Sequence, residues 1–314
     1  MKTVIYGLAF SMVLTTFNVC AQKRAKNNSI EGVISKSILF NNITRTFDIL
    51  VPSDNTFNLP LVLMLHGGGG NSKEAAFSTQ WLEKAKKESF IIVFPNGSRP
   101  DTTKPASFRH NGQNWNDGSH RNLSSVKTNV DDVGFIRTLI DSLKTTYNID
   151  DKKIYATGFS NGASMAFLLG IECADIFAAI APVAGSFWLK NPKLKNPISL
   201  IYITGDSDPL NPIEGGDIKI GMRSFGTKKP VVDIIELWVN LLNAKKIKDE
   251  QQKNIHKVHY QSPNAEILWI TVKNLGHHWP GGKQTLPKWM VGKPSNSLNA
   301  TDEIWNFFKN HPKE

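Results

Sequence analysis

Lys153-Ile154-Tyr155-Ala156-Thr157-Gly158-Phe159-Ser160-Asn161-Gly162-Ala163-Ser164-Met165-Ala166-Phe167 is the stretch that decides the fold. Residues 153–157 read as a strand, and residues 163–174 are apolar nearly all round, which marks a helix with no solvent face. Between them, Gly158-Phe159-Ser160-Asn161-Gly162 fits G-x-S-x-G. A strand-to-helix turn this sharp forces its central residue into a strained conformation, and small flanking residues relieve the clash. The Ser160 hydroxyl then stands above the sheet at a helix N-terminus, where unpaired N–H groups and the helix dipole favour negative charge. A serine that merely caps a helix would use the same letters. Partners further along the chain separate the two readings.

Upstream, residues 30–40 and 44–51 alternate as two antiparallel strands, with Asn41 and Asn42 in the turn. Residues 61–65 form a continuous apolar run, as expected of a parallel strand covered on both faces. That run ends in His66-Gly67-Gly68-Gly69-Gly70. A helix is expected over residues 72–87 and a buried strand over 90–94. Residues 95–129 lack periodicity, and a loop that long in a compact domain is usually functional. Residues 130–147 are amphipathic, with Val133, Ile136, Leu139, Ile140, Leu143 and Tyr147 on one stripe. Downstream, strands are expected at 177–181, 198–204 and 267–272, and helices at 231–242 and 302–308. Strand alternating with helix implies a mostly parallel sheet covered on both sides.

A serine hydroxyl needs a base to take its proton and a third group to orient the base. The strand at 198–204 ends in Gly205-Asp206-Ser207-Asp208-Pro209, and an acid just past a parallel strand sits on the functional edge of a sheet. Asp206 and Asp208 both qualify, although Asp also favours turns for its own sake. The strand at 267–272 leads to Gly276-His277-His278-Trp279-Pro280, where a base is expected. His66 ends a buried strand and is expected to shape a loop. The oxyanion of an acyl-transfer step needs two converging N–H donors. Those of Asn161, next after the serine, and Gly68, in the Gly-rich loop, are the candidates. That loop lacks the Lys-Ser/Thr of a phosphate-binding loop.

Bulk composition excludes other classes. A chain of 314 residues with 40% hydrophobic residues is too apolar for disorder and long enough for one large core. Its net charge of +10 is dispersed, as in Glu83, Lys84, Lys86, Lys87 and Glu88, so no nucleic-acid partner is expected. Lys2 followed by an apolar stretch at 4–17, with Val19 and Ala21 as small residues, reads as an export signal over residues 1–21. A lipid anchor on Cys20 is the rival, but Phe17, Asn18 and Val19 fit a lipoprotein box poorly. Residues 22–36 are expected to form a mobile arm and residues 37–314 a single catalytic domain. The product would be secreted, extracellular or periplasmic, with no stable membrane insertion after cleavage. The remaining Cys173 sits in an apolar run and reads as a small buried hydrophobe.

Five motifs taken together resemble the polyhydroxybutyrate depolymerase-like esterases, close to bacterial feruloyl and acetylxylan esterases of the first carbohydrate-esterase family. They are Leu65-His66-Gly67-Gly68-Gly69-Gly70-Asn71, Val130-Asp131-Asp132-Val133-Gly134-Phe135, Gly158-Phe159-Ser160-Asn161-Gly162, Gly205-Asp206-Ser207-Asp208-Pro209-Leu210-Asn211-Pro212 and Gly276-His277-His278-Trp279-Pro280-Gly281-Gly282. The resemblance spans about residues 37–308. It implies an α/β-hydrolase fold, with a mostly parallel central sheet, an antiparallel N-terminal hairpin and helices on both faces. It selects the acid directly before Pro, Asp208, and the first His after Gly, His277, to act with Ser160. The family often has Cys at the position of Gly68, and a backbone N–H serves there either way. Many members carry a disulfide, which a single mature cysteine cannot form.

The activity implied is hydrolysis of a carboxylic ester without cofactor or metal, on feruloyl or acetyl esters of plant polysaccharides. Short hydroxyalkanoate esters are the alternative, and a non-catalytic carbohydrate-binding relative is the rival from another class. Trp115 in the long loop, Phe159 and Trp279 are expected to contact substrate, and Trp188 is a further ring suited to stacking.

Overall fold

The computed structural model describes residues 31–53, 57–108, 110–119, 121, 123–220 and 223–314, with side chains 219–225 left aside. The expected export signal, Cys20 and most of the expected N-terminal arm lie outside the described residues. Residues Ser35–Glu314 form one compact unit.

Ten strands form one sheet. In chain order they are β1 (Val33–Phe40), β2 (Ile43–Leu50), β3 (Leu59–Leu65), β4 (Ile91–Pro95), β5 (Ile149–Phe159), β6 (Ala179–Val183), β7 (Ser199–Gly205) and, further on, β10 (Lys245–Gln252), β11 (Ile255–Ser262) and β12 (Ala265–Val272). Their spatial order is β1-β2-β4-β3-β5-β6-β7-β12-β11-β10. The six from β4 to β12 pair in parallel, and β2 pairs with β4 antiparallel. Leu61 to Leu65 and Ile91 to Phe94 are fully covered, because helices close both faces of a parallel sheet. Asn41 and Asn42 both adopt positive φ, 49° and 61°, as a two-residue hairpin turn requires. The α/β-hydrolase architecture expected from the motifs is the one observed.

The main helices are α1 (Ser72–Thr79), α2 (Trp81–Glu88), α4 (Asp132–Thr146), α5 (Asn161–Glu172), α6 (Val231–Leu242) and α8 (Ala300–Lys309); α3 (Ser124–Lys127) and α7 (Lys288–Val291) are single turns. Asp131 caps α4 through Gly134 N–H at 2.7 Å. The face of α4 formed by Phe135, Ile136, Leu139, Ile140 and Leu143 is buried. Residues 161–171 of α5 are buried on every side, which makes it the central helix of the core.

Three features depart from the sequence-based expectation. The helix expected over 72–87 is broken at Gln80, which takes φ 62°. Its side chain donates to Gly281 O at 2.6 Å and accepts from Asn299 at 3.1 Å, so distant loops override local helix propensity. The far edge of the sheet carries a second antiparallel hairpin, β10–β11, whose outer strand is polar and exposed. A separate hairpin, β8 (Gly216–Ile220) with β9 (Arg223–Lys228), stands between β7 and α6.

Candidate active site

Ser160 joins β5 to α5 with φ 55° and ψ −114°. That conformation costs an L-residue about 1–3 kcal/mol and persists only where the surroundings over-determine it. Here they do. Ser160 N–H donates to Val183 O and Ser160 O accepts from Ser164 N–H, both at 3.0 Å. A Cβ on Gly158 would stand 2.3 Å from Gly162 O, and one on Gly162 would stand 2.2 Å from Leu65 O. Both motif glycines are therefore required by packing of the turn against itself and against β3. Ser160 is half-buried on the wall of a cavity of about 790 Å3.

Asp208 and His277 come from the ends of the adjacent strands β7 and β12. Asp208 is 2% exposed. Its Oδ1 accepts from Leu210 N–H and Asn211 N–H, both at 2.8 Å. Its Oδ2 lies 2.8 Å from His277 Nδ1. A carboxylate only accepts, so Nδ1 carries a proton, and in the neutral ring Nε2 is then the free acceptor. Burial works to raise the Asp208 carboxyl. The charge and hydrogen bond of His277, then Lys228 and the Leu210 N–H, outweigh it and hold the group below the usual range. Asp206 is exposed and caps the loop instead, accepting from Asn274 N–H at 2.6 Å. His278 is buried on the cavity wall and donates to Gly292 O at 3.1 Å. Burial lowers its basicity.

The glycine loop after β3 runs beside the serine. His66 is buried and doubly fixed: Gly97 N–H donates to Nε2 at 2.9 Å, so Nδ1–H donates to Gly67 O at 2.7 Å. Burial pulls its pKa to about 4, and the ring stays neutral. Gly69 N–H is committed to Gln113 O and Gly70 N–H to Gly67 O. No acceptor among the described residues takes the N–H of Gly68, whose added Cβ would stand 3.6 Å from that of Asn161. The two expected oxyanion donors thus belong to facing segments.

Trp115 corrects an expectation. It is 0% exposed and does not line the cavity, so it makes no contact with a substrate held there. Its indole N–H donates to His66 O at 3.0 Å. Its backbone N–H donates to Asn161 Oδ1 at 2.8 Å, and its carbonyl accepts from Asn161 Nδ2 at 3.2 Å. The long loop is therefore stitched to both the glycine loop and the serine turn. Trp188 is also away from the cavity, with the Arg121 guanidinium 4.7 Å over its ring. Phe159 and Trp279 do line the cavity. Trp279 is pinned by Thr301 at 3.0 Å, whereas the Phe159 ring lies 4.8 Å from that of His277.

Residues 46–248 match the family model described as esterase PHB depolymerase. The chain belongs to that family. The esterase shares 26% identity over 269 residues with “Putative esterase NocK” of Nocardia uniformis subsp. tsuyamanensis, covering 79% of this chain and 73% of that one. It shares 27% over 189 residues with “Probable feruloyl esterase C” of Aspergillus niger, covering 58% of this chain and 61% of that one. The solved acetyl xylan esterase from Aspergillus awamori superposes with a TM-score of 0.56 at 14% identity, covering 78% of this chain and 94% of that one; it bears on the fold alone.

Several residues of the esterase's cavity escape a reading of the sequence. Its walls include apolar Met64, Phe108, Ile218, Leu286 and Met290, and charged Glu74, Arg121, Lys228 and Lys283. Ile218 and Lys228 arrive on the β8–β9 hairpin, which has no recognisable motif. Burial raises the Glu74 carboxyl, against a hydrogen bond from Thr285. Among the described residues, no cluster of three or more His, Cys, Asp or Glu side chains is arranged to hold a metal ion, and no helix is long and apolar enough to cross a membrane.

Proposed function

We propose that this esterase is a secreted serine hydrolase acting through an acyl-enzyme, with Ser160, His277 and Asp208 as its triad. The observation that carries the reading is the 2.8 Å bond from His277 Nδ1 to buried Asp208, on a cavity shared by His277 and strained Ser160. Ser160 Oγ attacks the ester carbonyl while His277 Nε2 takes its proton, and Asp208 stabilises the resulting imidazolium. The N–H groups of Asn161 and Gly68 hold the oxyanion. The alcohol leaves with the proton from His277, and water repeats the sequence to free the acid. Residues 37–314 form the catalytic domain, and cleavage after Ala21 releases the exported form.

The substrate class is esters on plant polysaccharides, with feruloyl or acetyl as the acyl group. Kinship with a feruloyl esterase supports it, and Phe159 at the cavity wall offers a face to an aryl ring. Short hydroxyalkanoate esters are the second reading, favoured by the family match and by the apolar walls.

The test is turnover of p-nitrophenyl acetate, methyl ferulate, acetylated xylan and a hydroxybutyrate dimer by the wild-type protein and Ser160→Ala. Loss of the nucleophile should reduce kcat on the order of 10⁶-fold, as in serine proteases. A variant retaining a tenth of the activity would remove Ser160 from the mechanism, and the ranking of the esters assigns the substrate.

A further inference from the structure

Lys228, at the end of β9, is 8% exposed and lines the cavity. Its ammonium donates to Leu210 O at 2.6 Å and to Asn211 Oδ1 at 2.9 Å. Both acceptors are neutral. Among the described residues no carboxylate lies within ion-pair distance of Lys228, and no acceptor takes its third N–H. A buried charge is ordinarily paired, because desolvation is otherwise uncompensated. The strain on this one is visible in its basicity. Burial, then repulsion from Arg121, pull it down to about 7 against the attraction of Asp208 and Asp117. Arg121 differs, being ion-paired with Asp117.

The rest of the cavity points the same way. Besides Arg121, which Asp117 already pairs, two cations, Lys228 and Lys283, line it against a single carboxyl, Glu74, which burial pushes toward its neutral form. An acetyl or feruloyl ester of a neutral sugar brings no counter-charge to such a wall. We propose that Lys228 is the centre of an anion subsite, and that the preferred ester carries a carboxylate which pairs with this ammonium while the ester carbonyl sits at Ser160. This rests on the esterase reading above and adds a specificity determinant to it. The carboxylate has two chemical sources: the alcohol side, as in an acetylated uronic acid residue, or the acyl side, as in a half-ester of a dicarboxylic acid.

Two matched pairs of substrates test the idea by pH-stat. On the alcohol side, an acetylated methyl glucuronoside is compared with the acetylated methyl glucoside. On the acyl side, monomethyl adipate is compared with methyl hexanoate. The wild-type enzyme is expected to favour the carboxylate member of one pair at least tenfold in kcat/KM, and the pair that responds identifies the source. Lys228→Gln retains an amide donor toward Leu210 and Asn211 but carries no charge, and it should bring that ratio near one. Lys228→Met should do the same with a larger loss on every ester, because Leu210 O and Asn211 Oδ1 flank Asp208 and lose their donor. The ratio is a property of folded, active molecules, so partial misfolding does not imitate the result. A wild-type ratio of one or below in both pairs overturns the subsite, as does an unchanged preference in Lys228→Gln. Either outcome leaves the esterase reading intact if the neutral esters are hydrolysed and Ser160→Ala abolishes it.

Discussion

The Asn161 side chain grips the backbone of Trp115 at both polar groups, accepting from its N–H at 2.8 Å and donating to its carbonyl at 3.2 Å. Asn161 Nδ2 also donates to Asp117 at 2.7 Å. The residue expected to present an oxyanion N–H therefore also anchors the long loop, and Trp115 is the anchor point.

Trp115→Ala is accordingly expected to act on stability. Removing a fully buried indole leaves a cavity, costing about 3–5 kcal/mol, and orphans His66 O. Chemical denaturation should register that loss, while KM rises by similar factors for p-nitrophenyl acetate and methyl ferulate. Unchanged stability with a KM increase confined to methyl ferulate would instead place the ring against substrate.

The two loop aspartates should differ sharply. Asp208→Asn leaves His277 without its carboxylate and permits the wrong tautomer, which lowers kcat roughly 10⁴-fold in a serine protease. Asp206→Asn disturbs only exposed loop bonds, those from Asn274 N–H and the Ser207 hydroxyl, and should stay within about tenfold. Comparable losses in both variants would argue against Asp208 as the acid.

The adjacent histidines part in the same way. His277 is bonded to Asp208, whereas His278 is turned to Gly292 O. His277→Ala should reduce kcat by several orders of magnitude, since the base is lost. His278→Ala should change it by less than about tenfold. An exchange of these phenotypes, measured on p-nitrophenyl acetate, would move the base by one residue.

His66 makes acid stability predictable. Folded, its ring stays neutral until about pH 4, whereas the ordinary value is 6.5. Between those limits the unfolded chain binds the extra proton, so stability falls as pH falls through that window and the penalty is complete below it. The loss attributable to His66 is on the order of 3 kcal/mol. His66→Gln, though less stable at neutral pH, should show a flatter decline in denaturation midpoint between pH 6.5 and 4. An equally steep decline would assign the acid sensitivity to other groups.

Much of this molecule was legible in one dimension because its signals are local. Continuous apolar runs at 61–65 and 90–94 require cover on both faces, whatever that cover is, and so announce parallel strands. The Gly158 and Gly162 flanks of Ser160 announce a tight turn, and positive φ at Asn41 and Asn42 suits the two-residue hairpin read from them. The expected order of serine, acid and histidine is likewise a linear pattern. What depended on contacts between distant segments was not legible. Polar β10 carries no alternating pattern because an edge strand with exposed faces needs none. The break at Gln80 is set by partners two hundred residues away in sequence. Aromatic Trp115 in a long loop reads alike whether it meets substrate or core. Only packing of that loop under the glycine segment buries it, just as only packing of a motif-free hairpin brings Lys228 to the cavity wall. A side chain's direction and desolvation are properties of its neighbours in space, and no window of sequence contains those neighbours.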